Sequence, residues 1–149
     1  MYQEKYHAFL SEFGKGRKMV LSTSLDDRVS SRMMSVVLIK GLFYFQTDVT
    51  FSKYQQLKSN PNVALCIDNI QIEGMCIEIG HPMDNDAFCK HFQQCFKGSY
   101  DAYTALQNER LFVVKPTFIE RWIYKDGKPF IERFDTEAEK YEINRYIGV

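Results

Sequence analysis

The sequence predicts a mainly β domain, an antiparallel barrel of roughly seven short strands with a few helices attached. Three observations lead to this prediction. Apolar runs of strand length recur along the chain, several of them alternate between apolar and polar residues, and turn signals separate them. The 149 residues are enough for one compact domain, 1–149, and contain no linker or internal repeat.

The first half of the chain is predicted to contain one helix followed by three strands. Residues 2–13 carry aromatic and aliphatic side chains at helical spacing, and Gly14 ends the pattern. The three predicted strands cover residues 18–25, 31–39 and 42–45. Because the turn signals Asp26-Asp27 and Lys40-Gly41 separate them, we expect consecutive antiparallel neighbours.

The middle of the chain is predicted to form a short helix and a long hairpin. The helix runs from Phe51 to Ser59, where Asn60-Pro61 ends it. The two runs that follow, NVALCIDN and IQIEGMCIEIGHP, alternate in polarity as half-buried strands do. In each run the apolar residues are expected to share one face: Val63, Leu65 and Ile67 in the first, and Ile70, Ile72, either Cys76 or Met75, Ile77 and Ile79 in the second.

The last third returns from helices to strands. From Asp84 to about Asn108 the apolar period is helical, which predicts two helices packed against the sheet and separated near Gly98-Ser99. Strands are then predicted over 111–117, 118–125 and 129–134, with a turn at Asp126-Gly127. Thr136 and Glu139 have the spacing of a capping box and predict a last helix, although the tyrosine and isoleucine that follow also suit a strand.

Composition narrows the functional classes. Nineteen basic and nineteen acidic residues give no net charge, so no global field attracts nucleic acid or an anionic membrane. The chain lacks the ~20-residue apolar run of a membrane span and the pattern of a signal peptide, and we therefore expect a cytoplasmic protein. In that compartment the four cysteines are expected to be small buried thiols rather than disulfides.

No catalytic or metal-binding motif stands out. His91 and Cys95 share a face of a predicted helix, but a metal site needs three or four converging ligands, and we predict none. Cys95 is instead expected to extend the apolar stripe of Phe88, Phe92 and Phe96. The catalytic residues stay unknown, because no local motif pairs a serine with a histidine and an orienting acid.

A possible anion site lies at the start of the short helix, in 47-TDVTFSK-53. A hydroxyl-rich turn that enters a helix directs unpaired backbone N–H groups at one point, and Lys53 adds a full charge. On this segment alone we favour the simpler interpretation, in which Thr50 caps a surface helix and Lys53 is solvated. Lys53 is nevertheless out of place there without a ligand, because a cation in the first turn opposes the helix dipole.

Arg32 is the second unusual cation, because it lies within a predicted strand. Alternation places Arg32, Met34 and Val36 on one face of that strand and Met33, Ser35 and Val37 on the other. If this strand lies beside the turn that carries Lys53, both cations converge on one phosphate. The alternative is an arginine on the solvent face of an edge strand, and the sequence does not decide between the two.

Taken together, these segments resemble the pyridoxamine 5'-phosphate oxidase-like family of FMN-binding split barrels, in its general stress protein and nitroimidazole reductase-like branch. The segments that carry the resemblance are KMVLSTSL, RMMSVV, YFQTDVTFSK, LKSNPNVAL, CIEIGHP and IERWIYKDGKPFIERF. The resemblance implies a six- to seven-stranded split barrel of Greek-key topology. It also implies a homodimer that holds FMN at the subunit interface.

The resemblance further implies which residues contact the cofactor. They are Arg32, Met33, Met34, Ser35, Val36, Val37, Gln46, Thr47, Ser52, Lys53, Met75, Trp122 and Arg133. Arg32 and Lys53 would hold the phosphate, while the strand from Arg32 to Val37 would run along the flavin with its backbone groups bonded to the ring edge. Gln46 and Thr47 would contact the ring or the ribityl chain.

The chain departs from the true pyridoxamine phosphate oxidases. Val37 stands where those enzymes have a lysine, and Gln93, Lys97 and Asp101 do not match their substrate-phosphate group. The resemblance therefore implies an FMN-dependent oxidoreductase that acts on another small molecule, with NADH or NADPH as a candidate electron donor. The alternative is a nonenzymatic flavin- or haem-binding module, for storage or sensing, on the same barrel.

Overall fold

The structure is a computed structural model that describes residues 1–148. Its strands are β1 (Gly16–Leu25), β2 (Arg28–Ile39), β3 (Leu42–Asp48), β4 (Asn62–Ile67), β5 (Ile70–Glu78), β6 (Glu109–Lys125), β7 (Lys128–Asp135) and β8 (Lys140–Arg145). The α-helices are α1 (Tyr2–Phe13), α2 (Ser52–Ser59), α3 (Asp86–Cys95) and the single turn α4 (Lys97–Ser99). A 3₁₀ turn at Pro82–Asp84 precedes α3, and a π-helical turn at Tyr100–Thr104 follows α4.

Six antiparallel strands close into a barrel, in the order β3-β2-β1-β4-β5-β6, with β6 returning to pair with β3. β4 comes back through α2 to lie beside β1, which makes the connection a Greek key. β7 and β8 extend the sheet outward from β6. This architecture confirms the predicted fold class of an antiparallel split barrel with attached helices.

Tight turns join the hairpins where the sequence predicted them. Asp26 and Asp27 have φ of 50° and 65°, and Asp126 and Gly127 have φ of 53° and 77°. Two successive positive φ values produce the turn whose twist matches that of the flanking strands. The Lys40-Gly41 turn has the same geometry, with φ of 50° and 80°.

β6 is one long strand where the sequence predicted two. It spans both 111–117 and 118–125 and also begins two residues earlier, at Glu109. A proline is tolerated inside β6 because the register with β5 shifts at this point, which forms a β-bulge. Gly74 of β5 pairs with Pro116, while Glu73 pairs with Phe118. Gly74 is required at this bulge, since a Cβ atom would lie 2.6 Å from the carbonyl oxygen of Lys115.

Of the two alternatives that the sequence left open after Thr136, the helix is wrong and the strand is confirmed, as β8. Glu139 has φ of 54°, which no α-helix contains, and the Thr136 hydroxyl donates to the carbonyl oxygen of Pro116 instead of capping. Tyr141 then packs on Phe134 of β7, with ring centroids 5.0 Å apart. Packing of Tyr141 against the neighbouring strand therefore decides the structure.

Two apolar cores stabilise the chain. The first fills the barrel and is closed at one end by Phe9 and Phe13 of α1. The second lies outside the barrel, where Phe88 and Phe92 of α3 cover Val37. Cys95 packs against this second core with Phe96, as the helical stripe predicted.

The prediction that Ile77 and Ile79 share a face with Ile70 and Ile72 is wrong. Strict alternation from Ile70 and Ile72 leads inward to Gly74 and Cys76, so that Ile77 and Ile79 point outward together with Met75. The outward side chains of Met75, Ile77 and Ile79 are 42%, 58% and 41% exposed. They are named the β5 apolar strip below.

The cysteines differ in environment more than the sequence suggested. All four are free thiols, but only Cys76 is buried, and Cys66 is exposed on the outer face of β4. The prediction of four buried thiols is therefore wrong for Cys66. Separately, no helix within residues 1–148 combines the length and the apolar character needed to cross a bilayer.

Candidate functional site

Arg32 lies on the inner face of β2, at one end of the barrel. Its Nη1 donates to the carbonyl oxygen of Leu21 at 3.3 Å and to Oγ1 of Thr23 at 2.8 Å, and its Nη2 donates to Oε1 of Gln56 at 3.3 Å. Nε2 of Gln56 in turn donates to Oγ of Ser30 at 3.2 Å. The alternative of an arginine on the solvent face is therefore wrong. Neutral hydrogen-bond acceptors hold the Arg32 side chain in place.

Lys53 lies in the first turn of α2, beside Arg32. Burial lowers the pKa of the Lys53 ammonium, and the positive charge of Arg32 lowers it further. Its Nζ lies 4.6 Å from the ring centroid of Phe51. Arg32 contacts the same helix through Gln56, so the two cations lie near each other.

The N-terminus of α2 has no side-chain cap. Phe51 occupies the N-cap position, and Thr50 donates its backbone N–H and its hydroxyl to Oδ1 of Asp48. Thr50 therefore does not cap the helix, which removes the simpler interpretation of this segment. The first N–H groups of α2 and the side chain of Lys53 lie in the same turn.

Neither cation has a carboxylate partner. No Asp or Glu oxygen within residues 1–148 lies within 4.0 Å of the charged nitrogens of Arg32 or Lys53. Burial also lowers the pKa of Arg32. Asp48 and Glu109 oppose this effect at Lys53 without forming an ion pair, so an anion that contacts both cations would still gain charge-assisted hydrogen bonds.

A cleft opens beside Lys53 and the β2 residues that follow Arg32, because β2 and β3 separate. They pair only at Val37–Ile39 with Leu42–Tyr44, after which β3 pairs with β6 and β2 continues beside β1 alone. The cleft has a volume of about 430 Å³. Its walls are formed by Met33, Met34, Ser35, Gln46, Thr47, Asp48, Phe51, Lys53, Phe92, Ser99, Tyr103, Leu106 and Glu109.

The opening leaves one edge of β2 without a strand partner. Residues 33–35 pair with β1 on one side, and no strand within the described residues pairs with their other side. Across the cleft, Oε1 of Gln46 accepts a hydrogen bond from the Thr104 hydroxyl at 2.9 Å, which leaves its amide N–H groups available. The cleft thus offers backbone and side-chain donors to a planar polar ligand.

Two buried polar atoms of the cleft residues have no hydrogen-bond partner. They are Oγ1 of Thr47 and Oε2 of Glu109, whose residues are 2% and 7% exposed. Buried polar groups in folded proteins are normally satisfied, so each unpartnered atom calls for an explanation. Sequence reasoning missed Glu109, because it lies just before the segment that was predicted as a strand.

Burial raises the pKa of the Glu109 carboxyl above its ordinary value of 4.5. The charge of Asp48 adds to this effect, while Lys53 and His81 oppose it. The folded chain therefore binds this proton more tightly than the unfolded chain, and stability falls as the pH rises through the range above 4.5.

We accordingly expect Glu109→Gln to raise the thermal unfolding midpoint at pH 7 and to have little effect at pH 4. Thermal unfolding followed by circular dichroism at both pH values checks this, with Glu137→Gln at an exposed carboxylate as the control. A shift of the same size at both pH values would contradict the assignment, because a proton-linked effect must vanish at low pH.

The other predicted site residues lie elsewhere in the chain. Val36 and Val37 are fully buried, in the first and second core respectively, and Ser52 is exposed at the start of α2. Met75 belongs to the β5 apolar strip, and Arg133 is paired with Glu120 and Glu142. A single chain therefore does not bring Met75, Trp122 and Arg133 to the cleft.

Trp122 lines a different and larger cavity of about 760 Å³, at the end of the barrel that α1 covers. Four of the five charged side chains of this cavity are paired, Arg17 with Asp68 at 3.0 Å and Arg121 with Glu12 at 2.7 Å. The fifth, Lys125, lies over the ring of Phe130. We therefore consider the smaller cleft the better ligand site, because it is lined by Lys53, which forms no ion pair within residues 1–148, and by two buried polar atoms without partners. Within residues 1–148 no group of three or more His, Cys, Asp and Glu side chains is placed to bind a metal ion.

Comparison with known proteins identifies the fold. No protein-family model and no curated protein matches this sequence. Among solved structures, a pyridoxamine 5'-phosphate oxidase-related, FMN-binding protein from Nostoc punctiforme PCC 73102 is similar, with a TM-score of 0.61 and 12% identity over 89% of this chain and 88% of that one. The fold is that of the pyridoxamine 5'-phosphate oxidase-related proteins.

Two further structures share this pyridoxamine 5'-phosphate oxidase-like fold. General Stress Protein 26 from Bacillus anthracis str. Sterne is similar with a TM-score of 0.58 and 21% identity, over 80% of this chain and 92% of that one. HutZ, the heme storage protein from Vibrio cholerae, is similar with a TM-score of 0.60 and 15% identity, over 77% of this chain and 89% of that one. At such identities the likeness establishes the fold, and function has to be argued from the cleft.

Proposed function

We propose that this chain is an FMN-binding flavoprotein and an FMN-dependent oxidoreductase that acts on a small molecule. The observation that carries the proposal is the pair of neighbouring cations, Arg32 and Lys53, of which Lys53 lines the open cleft and Arg32 precedes its wall residues Met33 to Ser35. Neither cation forms an ion pair with a carboxylate of residues 1–148. A phosphate group supplies the missing negative charge, and Arg32 offers the planar donor geometry suited to it.

The rest of the cleft suits the flavin ring and its ribityl chain. The unpaired edge of β2 at Met33–Ser35 provides backbone groups for the polar edge of the ring, and the free amide of Gln46 adds donors. The unsatisfied hydroxyl of Thr47 is explained by a ligand polar group in the same space. Bound FMN would supply the redox chemistry, while these residues hold and orient it.

The most direct test is a titration of the purified protein with FMN and with riboflavin, in which binding is monitored by flavin fluorescence and absorbance. We expect FMN to bind at least tenfold more tightly than riboflavin, because only FMN carries the phosphate. Equal affinity for the two ligands would contradict the proposed phosphate site. If neither ligand binds, the whole proposal is wrong. Anaerobic reduction of bound FMN by NADH or NADPH then distinguishes an oxidoreductase from a flavin carrier.

A haem-binding module is the second candidate, because a heme storage protein is among the similar structures. Met33, Met34 and Tyr103 line the cleft and belong to residue types that coordinate haem iron. A Soret band in the purified protein or after addition of haemin, together with no FMN uptake, would favour this candidate.

We further propose that the protein is a homodimer with FMN at the subunit interface. The β5 apolar strip supports this, since three neighbouring apolar side chains on an outer sheet face are typical of a surface that a partner covers. In such a dimer Met75, Trp122 and Arg133 would contact the cofactor held by the other copy.

Substitution of the strip tests the dimer. We expect Ile77→Asp to convert the protein to a monomer, because a charge at the centre of the strip would be buried without a partner. Size-exclusion chromatography with light scattering measures the mass. Gln71→Asp, on the same outward face of β5 but outside the strip, is the control and should stay dimeric. A monomeric wild-type protein, or a dimeric Ile77→Asp variant, would contradict the proposal.

A further inference from the structure

The carboxyl of Glu109 is one of the two cleft groups that have a buried polar atom without a partner, and the only one of the two that is ionisable. The residue is 7% exposed, its Oε2 is inaccessible to water, and that atom has no hydrogen-bond partner. Glu109 opens β6 opposite Asp48 of β3 and belongs to the cleft wall. A carboxylate in this position needs a donor, and the described part of the chain does not supply one.

The neighbouring groups restrict what that donor can be. Lys53 is close enough to influence Glu109 electrostatically, but it lies beyond the 4.0 Å of an ion pair, and Lys53 is the residue that would bind the phosphate. A phosphate next to Glu109 is disfavoured when the carboxyl is ionised, because it would add an anion to the charges of Glu109 and Asp48, which adjoin in the β3–β6 pairing. The donor must therefore be an uncharged or cationic part of the ligand.

We propose that Glu109 recognises a hydroxyl of the polyol chain that joins the phosphate of the ligand to its ring. This inference rests on the proposed function, in which the phosphate lies at Lys53 and the ring lies along β2. The segment between these two ends carries several O–H donors in FMN, whereas its phosphate is an acceptor and its ring offers little more than one N–H. Glu109 is thus a specificity-determining residue for sugar-alcohol ligands.

The Glu109 carboxylate would also fix the orientation of a ligand that carries both a phosphate and a hydroxyl chain. The cations at Arg32 and Lys53 attract the anion at one end, and the negative charge of Glu109 repels it from the neighbouring position. A ligand can satisfy both groups only when it presents an anion and a hydroxyl in the right order. A free anion or a bare ring satisfies at most one of them.

Three ligands and two variants test this role. FMN contains ring, polyol and phosphate, riboflavin lacks the phosphate, and lumiflavin lacks the polyol as well. We expect Glu109→Met to weaken FMN and riboflavin binding about tenfold each and to leave lumiflavin unchanged, because only the first two ligands donate a hydroxyl to Glu109. Glu109→Gln keeps an acceptor oxygen and should retain most of the affinity. Thermal unfolding and circular dichroism verify that both variants are folded.

Each alternative outcome is distinct. A loss for FMN alone would mean that Glu109 acts on the phosphate through Lys53, and an equal loss for all three ligands would mean that it shapes the ring pocket or the fold. Either result, or no change for any ligand, overturns the polyol role while FMN binding itself stands. If the wild-type protein binds neither FMN nor riboflavin, both this inference and the proposed function are wrong. The control Glu137→Gln, at an exposed carboxylate, should bind all three ligands normally.

Discussion

Replacing Arg32 and Lys53 together with alanine is expected to weaken FMN binding by about 100-fold or more. Each substitution removes a charge-assisted contact with the phosphate, worth roughly 1.5–3 kcal/mol, so each single variant should lose about tenfold or more. Riboflavin binding should change much less, because riboflavin has no phosphate. Fluorescence titration of the four proteins with both ligands measures the effects and their coupling.

Two cations from the same elements serve as controls in this experiment. Arg28 lies on β2 and is exposed, and Lys58 lies on α2 with its Nζ 3.8 Å from a carboxylate oxygen of Glu78. Arg28→Ala and Lys58→Ala remove the same charge from the same strand and helix without touching the cleft. Unchanged FMN affinity in the Arg32 and Lys53 variants, or an equal loss in these controls, would mean that the phosphate lies elsewhere.

Phe134→Ala is expected to lower the free energy of unfolding by about 3–5 kcal/mol, the largest effect of any single substitution considered for this chain. Phe134 is fully buried, and its ring centroid lies 5.5 Å from that of Phe9 and 5.6 Å from that of Tyr6. Its loss leaves a cavity between α1 and β7 and removes these aromatic contacts. Chemical denaturation in urea measures the change.

Phe130→Ala, on the same strand, is the matched control. Phe130 is only half-buried, and Lys125 lies over its ring with Nζ 5.8 Å from the centroid. Its truncation should cost clearly less than that of Phe134. Similar losses in the two variants would show that α1 is not held mainly by the Phe134 cluster.

The sequence predicted the site best where a single strand or turn defines it. Alternation along β2 correctly put Arg32 on the face of Met34 and Val36, because a strand has a fixed period and its neighbours were strongly apolar. Alternation failed on β5, where apolar residues occur on both faces. Gly74 points inward but has no side chain, so the sequence does not reveal which face is buried there. Composition alone cannot tell Ile77, which points outward, from a core isoleucine.

The missed residues depend on contacts between distant segments. Glu109 belongs to the cleft because β6 begins two residues before its apolar run and pairs Glu109 with Asp48. Likewise, the Thr136 segment forms β8 because Tyr141 can pack on Phe134, whereas the local spacing equally favoured a helix. In both places tertiary packing overrides a local signal that is weak.

The pairing of β3 with β6 also has a kinetic consequence. This seam joins Asp48 to Glu109, about 60 residues apart in the chain, whereas the hairpins β1–β2 and β6–β7 close over a few residues. Contacts of such long sequence separation carry the larger loop-closure entropy and tend to form late in folding. Because Gln46, Asp48 and Glu109 meet at this seam, we expect the candidate cleft to be complete only after β3 and β6 have paired. A ligand that binds there acts after the slow steps of folding and stabilises only the completed barrel.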